Sequence, residues 1–132
     1  MPSMIGVFQS VWNERDTSGL ETLDALLAEN VVFHTSAAGR PLVGKAQARF
    51  VLHMLGSVFE ELSYVAEYTS ADGVVLLSTG VVAGKRADGI QVITVDEAGL
   101  ITQMRDFVRP LSALSALSEA AKEYMTRASP GG

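Results

Sequence analysis

From about Leu62 to Val108 the chain is a succession of apolar runs broken by short turn signals, at Ala71-Asp72-Gly73, at Gly84 to Gly89 and at Asp96-Glu97-Ala98-Gly99. This spacing predicts four consecutive strands in an antiparallel meander, and it limits the chain to architectures built around one sheet. The last run carries two adjacent opposite charges, Arg105 and Asp106. Successive side chains of a strand point to opposite faces, so these two charges are expected on opposite sides of the sheet. If helices cover one face, one charge is enclosed, which is costly unless it is paired or has a chemical role.

Helical spacing precedes the meander. Met4, Val7, Phe8, Val11 and Trp12 recur at the period of one helix face, and a break follows at Asp16 to Gly19. Ser18 and Glu21 then form a capping-box pattern for a second helix bearing Leu20, Leu23, Leu26 and Leu27. Val31 to Ser36 reads as a β-branched strand and Ala37 to Pro41 as a loop. From about Gly44 the helical period returns, with Phe50, Val51, Met54, Leu55, Val58 and Phe59 as a wide apolar stripe. Pro110 is expected at the first position of a last helix, whose apolar face is Leu111, Leu114, Leu117, Ala121 and Met125. Helices segregated from an antiparallel sheet define the α+β class. The expected organisation is one domain over residues 1–127 and a flexible tail over 128–132. A strongly curved sheet wrapped around helices would leave a pocket at its open end.

Composition removes several function classes. With 10 Lys and Arg against 15 Asp and Glu, the net charge is -5, so the basic footprint of a nucleic-acid binder is missing. The same balance disfavours anionic membrane surfaces. There are no cysteines and only two histidines, His34 and His53, far apart in sequence, so neither a metal nor another cofactor is expected. The first residues lack the pattern of a signal peptide, and no run approaches the roughly 20 apolar residues of a membrane span. A cytoplasmic location is the expectation.

Several loose motifs in a fixed order carry a resemblance. They are Trp12 to Asp16, Leu26 to His34, Pro41 to Lys45, and Asp96 to Thr102 followed by Phe107 to Pro110. Together they resemble the nuclear-transport-factor-2-like superfamily, in its SnoaL-like and steroid-isomerase-like branch, over roughly residues 4–117. The resemblance implies a cone-shaped curved antiparallel sheet around the N-terminal helices, a deep apolar cavity, and a homodimer formed through the outer sheet face. Steroid isomerases of this kind use a tyrosine, an aspartate base and a protonated aspartate. The matching positions here are Phe8, Thr35 and Gln91, and none keeps that chemistry. Polyketide cyclases and epoxide hydrolases of the superfamily place an acid on the inner face of the last long strand, a region similar to Met104-Arg105-Asp106-Phe107.

Asp106 is accordingly the catalytic candidate. With Met104 and Val108 on the inner register, alternation places it inside, where burial would raise its pKa toward useful acid–base chemistry. The competing reading turns Asp106 outward into an ion pair. Gln91 either orients a ligand beside it or simply satisfies a buried carboxyl. Thr35 is the second orienting candidate. Phe8, Trp12, Phe33, Phe50, Met54, Met104 and Val108 are candidates for the pocket wall, although such residues at regular spacing are also ordinary core. His34 is expected outward, because Phe33 and Thr35 take the inner face, and His53 falls off the apolar stripe of its helix. No phosphate loop or nucleophile elbow occurs. The expected function is a pocket for a small hydrophobic molecule, with cofactor-free isomerase, cyclase or epoxide hydrolase chemistry at Asp106. A non-catalytic binding protein and a structural or interaction domain are the alternatives.

Overall fold

The computed structural model describes residues 8, 17–36 and 38–128. The first helical stretch apart from Phe8, Trp12 with it, and residues 129–132 lie outside the described residues, as does the side chain of Ser18. Helix α1 spans Thr17–Leu26 and runs directly into strand β1, Leu27–His34. Leu27 therefore belongs to the strand and not to the helix expected from the leucine spacing. It pairs with Ile101, and both side chains are buried. Burial alone cannot tell a helix end from a strand start here, because both conformations turn Leu27 inward.

A two-residue strand β2, Leu42–Val43, pairs antiparallel with β1 at the edge of the sheet. It directly follows the Ala37 to Pro41 segment read as a loop. Helix α2, Lys45–Val58, follows Gly44, whose φ of 99° is open to glycine and strained for other residues. The helix buries Ala48, Val51, Leu52, Met54 and Leu55. Its buried stripe is rotated from the expected one, since Phe50 is 41% exposed and Phe59 already starts the next strand.

The meander consists of β3 (Phe59–Ser70), β4 (Gly73–Val82), β5 (Lys85–Val95) and β6 (Ile101–Arg109). The β4–β5 turn is only Ala83-Gly84, with φ of 49° and 79°. Two successive positive φ values mark a primed two-residue hairpin, whose twist suits the flanking strands. Lys85 to Gly89, expected in the turn, instead extends β5. In β3 the register shifts between Glu60 and Ser63 and again between Tyr64 and Ala66, and Glu61 has a φ of 54°. Such bulges bend a strand and increase its twist.

Strand order is β2-β1-β6-β5-β4-β3, with β1 and β6 parallel and all other pairs antiparallel. The sheet is curved and unclosed, and with its helices it has the nuclear-transport-factor-2-like architecture. Pro110 stands just before the last helix α3, Leu111–Ala128, its carbonyl accepting the Leu114 N–H at 3.0 Å. Helix α3 packs on β4, β5, β6 and α2. Of the expected face Leu117 and Ala121 are buried, joined by Ala113, whereas Leu111 is 78% and Met125 46% exposed. Among the described residues, no helix is long and apolar enough to cross a membrane.

Candidate functional site

The sheet register arranges the inner face in rows. The first row, Val74–Ile93–Met104–Phe33, is wholly buried. The next is Leu76–Gln91–Asp106, and Thr35, two residues beyond Phe33, continues it just past the end of β1. The third is Tyr64–Ser78–Gly89–Val108. Side chains thus pass from closed core to a polar row and then to a row that holds a glycine. A Cβ at Gly89 would sit 2.9 Å from Ser78 Oγ, so only glycine leaves that space. Bounded by these rows is an inner cavity of about 40 Å3, lined by Leu55, Leu62, Tyr64, Ala87, Gln91 and Asp106 among others. At roughly 10–15 Å3 for a water, it has room for about three.

Asp106 is 7% exposed, while its neighbour Arg105 is exposed on the other face. The Ser36 backbone N–H donates to Asp106 Oδ1 at 2.7 Å, and the Ser36 hydroxyl donates to the Asp106 carbonyl at 2.8 Å. Asp106 Oδ2 is buried with no hydrogen-bond partner among the described residues. Burial pushes the carboxyl up from its ordinary value of 3.8, and hydrogen bonds from the Ser36 backbone and the Thr35 and Ser36 side chains partly oppose the rise.

Gln91 lies directly across the β5–β6 pair from Asp106, a spacing that puts opposed Cβ atoms about 5 Å apart. The Tyr64 hydroxyl donates to Gln91 Oε1 at 3.2 Å. Gln91 then presents its Nε2 donors rather than its carbonyl. Tyr64 in turn packs against the Phe8 ring at a centroid distance of 6.3 Å. An acid with a buried, unpartnered oxygen therefore stands beside an amide oriented by a phenol. That arrangement can hold a ligand oxygen and exchange a proton with it.

The expected site residues separate into three places. Gln91, Asp106 and Val108 line the inner cavity. Thr35, Phe50 and Met54 line a second pocket of about 380 Å3 between α2, α3 and the end of β1. Phe8, Phe33 and Met104, expected in the pocket wall, are closed into the core and line neither. Their large apolar side chains complete the rows beneath the polar one. His34 pairs in register with exposed Arg105, on the outer face, and His53 Nδ1 lies 3.3 Å from the Tyr124 hydroxyl at the surface. Tyr64 and Ser36 had not been singled out. Tyr64 was findable, since it alternates with Leu62 on a strand and carries the hydroxyl. The Ser36 contribution is mainly a backbone amide, for which no side-chain pattern exists. Among the described residues, no three metal-ligating side chains converge.

A family model, the SnoaL-like domain, matches residues 6–104. The chain belongs to the SnoaL-like domain family. Its fold is similar to that of a steroid delta-isomerase from Pseudomonas aeruginosa, with a TM-score of 0.82 and 28% identity over 97% of this chain and 96% of that one. It is also similar to an uncharacterized protein with a cystatin-like fold from Silicibacter pomeroyi DSS-3, with a TM-score of 0.84 and 30% identity over 97% of this chain and 89% of that one. A ketosteroid-isomerase-like protein from Catenulispora acidiphila DSM 44928, solved in complex with trimethylamine, shares the fold at a TM-score of 0.65 and 17% identity, over 90% of this chain and 94% of that one. No curated protein matches the chain in sequence. SnoaL-like membership thus accounts for the pocket-forming architecture, and the polar row is what this member places in it.

Proposed function

We propose that this SnoaL-like protein binds a small hydrophobic molecule and acts on it by cofactor-free proton transfer, with Asp106 as general acid and base. The observation that carries the reading is the Asp106 carboxyl, enclosed, anchored through Oδ1 and left with Oδ2 unpartnered beside Gln91. Burial raises its pKa, so both protonation states come within reach nearer neutrality than for an exposed aspartate. As a base, Oδ2 takes a proton from a substrate carbon or from water; as an acid it returns one to an oxygen held by Gln91 Nε2. Isomerisation, aldol-type cyclisation and epoxide hydration all fit this scheme. The likeness to a steroid delta-isomerase adds a class of candidate substrates, but Phe8, Thr35 and Gln91 lack the groups of that chemistry.

Turnover of a panel of polycyclic ketones and epoxides by Asp106→Asn tests the proposal. The amide keeps the shape but cannot ionise, and the rate is expected to fall by roughly 10²–10⁴. Unchanged turnover would remove Asp106 as the catalyst. The small volume of the inner cavity favours a second reading, ligand binding without chemistry. On that reading the native protein turns over no member of the panel and yet retains one of them.

The same proposal includes a homodimer through the outer sheet face. Register brings Ala66, Leu77, Ile90 and Phe107 into one row across four strands of that face, with Tyr68, Val75 and Val92 in the next. A contiguous apolar surface of this kind supports burial against a second copy.

A further inference from the structure

From the polar row, the inner cavity at Asp106 continues toward the β4–β5 hairpin over two rows of small side chains. These are Ser78–Gly89 and, next along the strands, Gly80–Ala87. Leu55 of α2 and Leu62 and Tyr64 of β3 face them across the cavity. At the far end the space closes, since a Cβ at Gly80 would come within 3.3 Å of the Phe59 side chain and 3.4 Å of Leu62. Thr79, Asp88, Ile90 and Phe107 also border the cavity, but alternation turns their side chains to the outer face, where Asp88 meets Arg109. The Ser78 hydroxyl donates to the Gly89 carbonyl at 3.4 Å. What points to a ligand is Asp106, 7% exposed, with its Oδ2 buried and without a partner. A polar atom so enclosed is costly unless something reaches it.

We infer that this cavity admits the smallest open-chain ketones, of the size of acetone, and turns away ring ketones, with Ser78, Gly80, Ala87 and Gly89 as its floor and Leu55 and Leu62 as the limit above. Its volume of about 40 Å3 is room for roughly three waters, or roughly 90 Å3 of liquid. That holds one acetone. A six-membered ring fits only by displacing Leu55 or Leu62. The size limit comes from the cavity; that the occupant is a ketone rests on the proposed function. In that chemistry the Asp106 carboxylate takes a proton from a methyl carbon of the ketone. The C–H electron pair becomes the C=C bond of the enolate, and the carbonyl π pair moves to the oxygen, held by Gln91 Nε2. Return of a proton from Asp106 to carbon restores the ketone. In D2O the carboxyl exchanges its proton with solvent, so deuterium replaces the methyl hydrogens.

Acetone and cyclohexanone are the probes, each followed in D2O with the full chain. Binding is read from the NMR signals of isotope-labelled leucine methyl groups, and chemistry from loss of the ketone's own α-proton signal. Acetone is expected to shift Leu55 and Leu62 while leaving core Leu23 in place, and to exchange at least about tenfold faster than cyclohexanone. Ala87→Val adds bulk to the floor and should stop both the shifts and the exchange with Asp106 intact and the circular dichroism spectrum unchanged. Leu62→Ala opens the roof and should bring cyclohexanone to the level of acetone. Absence of the Leu55 and Leu62 shifts, cyclohexanone exchanging as fast as acetone in the native chain, or acetone unaffected by Ala87→Val would each overturn the inference. Asp106→Asn separates it from the reading it rests on. If acetone still binds in the expected size order but that variant exchanges it as fast as the native chain, only the acid–base reading falls. If the native chain exchanges both ketones alike and Asp106→Asn stops both, only this inference falls.

Discussion

A buried carboxyl with a raised pKa makes stability depend on pH in a definite direction. The folded state holds its proton on Asp106 to higher pH than the unfolded chain does, so folding is favoured most below the ordinary value of 3.8. That stabilisation is lost as pH rises through the folded-state pKa, because the charged form is then enclosed. Asp106→Asn removes the term. Urea unfolding across this range should show the variant gaining on the native protein as pH rises above 3.8, with the difference between them constant below it. A pH-independent difference would mean that Asp106 carries no such penalty. Tyr64 tests the neighbouring contact. Tyr64→Phe deletes the bond to Gln91 Oε1 and keeps the ring against Phe8, so a loss of roughly 0.5–1.5 kcal/mol is expected in the same assay.

Elements differ in how well their residues announce them. The β4–β5 hairpin was misplaced because Gly84 to Gly89 holds two glycines and an aspartate, the usual turn formers, while the chain actually turns on Ala83. An alanine with a φ of 49° has no local signature, since the fold imposes that conformation against its preference. Ala83→Asn should therefore stabilise the hairpin by about 0.5–1 kcal/mol, read as a rise in the unfolding midpoint. The last helix was legible as a helix, and Leu117 and Ala121 of its expected face are buried, but the residues nearer its ends are not. Leucine spacing put Leu111 and Met125 on the buried face, whereas small Ala113 and Ala121 flank Leu117 where the helix approaches the sheet. Leu117→Ala should cost about 2–5 kcal/mol and Leu111→Ala stay within about 0.5 kcal/mol. The inward placement of Asp106 was legible from strand alternation once Met104 and Val108 were taken as the inner register. Its partners were not, since Ser36 contributes an amide and Thr35 meets Asp106 only because β1 and β6 run parallel.

At the scale of the whole molecule, the sheet has one face spent on the core and another that no helix of the described residues buries fully. The row Ala66–Leu77–Ile90–Phe107 crosses four strands on that second face, and Phe107 is 54% exposed at its end. Below it, Asp88 and Arg109 form an ion pair at 2.9 Å, a polar boundary to the apolar surface. The net charge of -5 works against bringing two copies together, so association must be driven by apolar burial and should strengthen as salt screens the repulsion. Sedimentation equilibrium of the native chain is expected to show a dimer. Phe107→Lys places a charge at the end of the apolar row in the proposed interface and should yield a monomer, with an unchanged circular dichroism spectrum, because the side chain is exposed on the outer face. A native chain that stays monomeric at all concentrations and salts, or a Phe107→Lys variant that stays dimeric, would rule out this face as the interface. The outcome also bears on the site, since Phe107 lies between Asp106 and Val108 on the same strand. A partner packed on the outer face would hold β6 rigid behind the carboxyl, so turnover in the Phe107→Lys variant should fall with dissociation even though Asp106 is untouched.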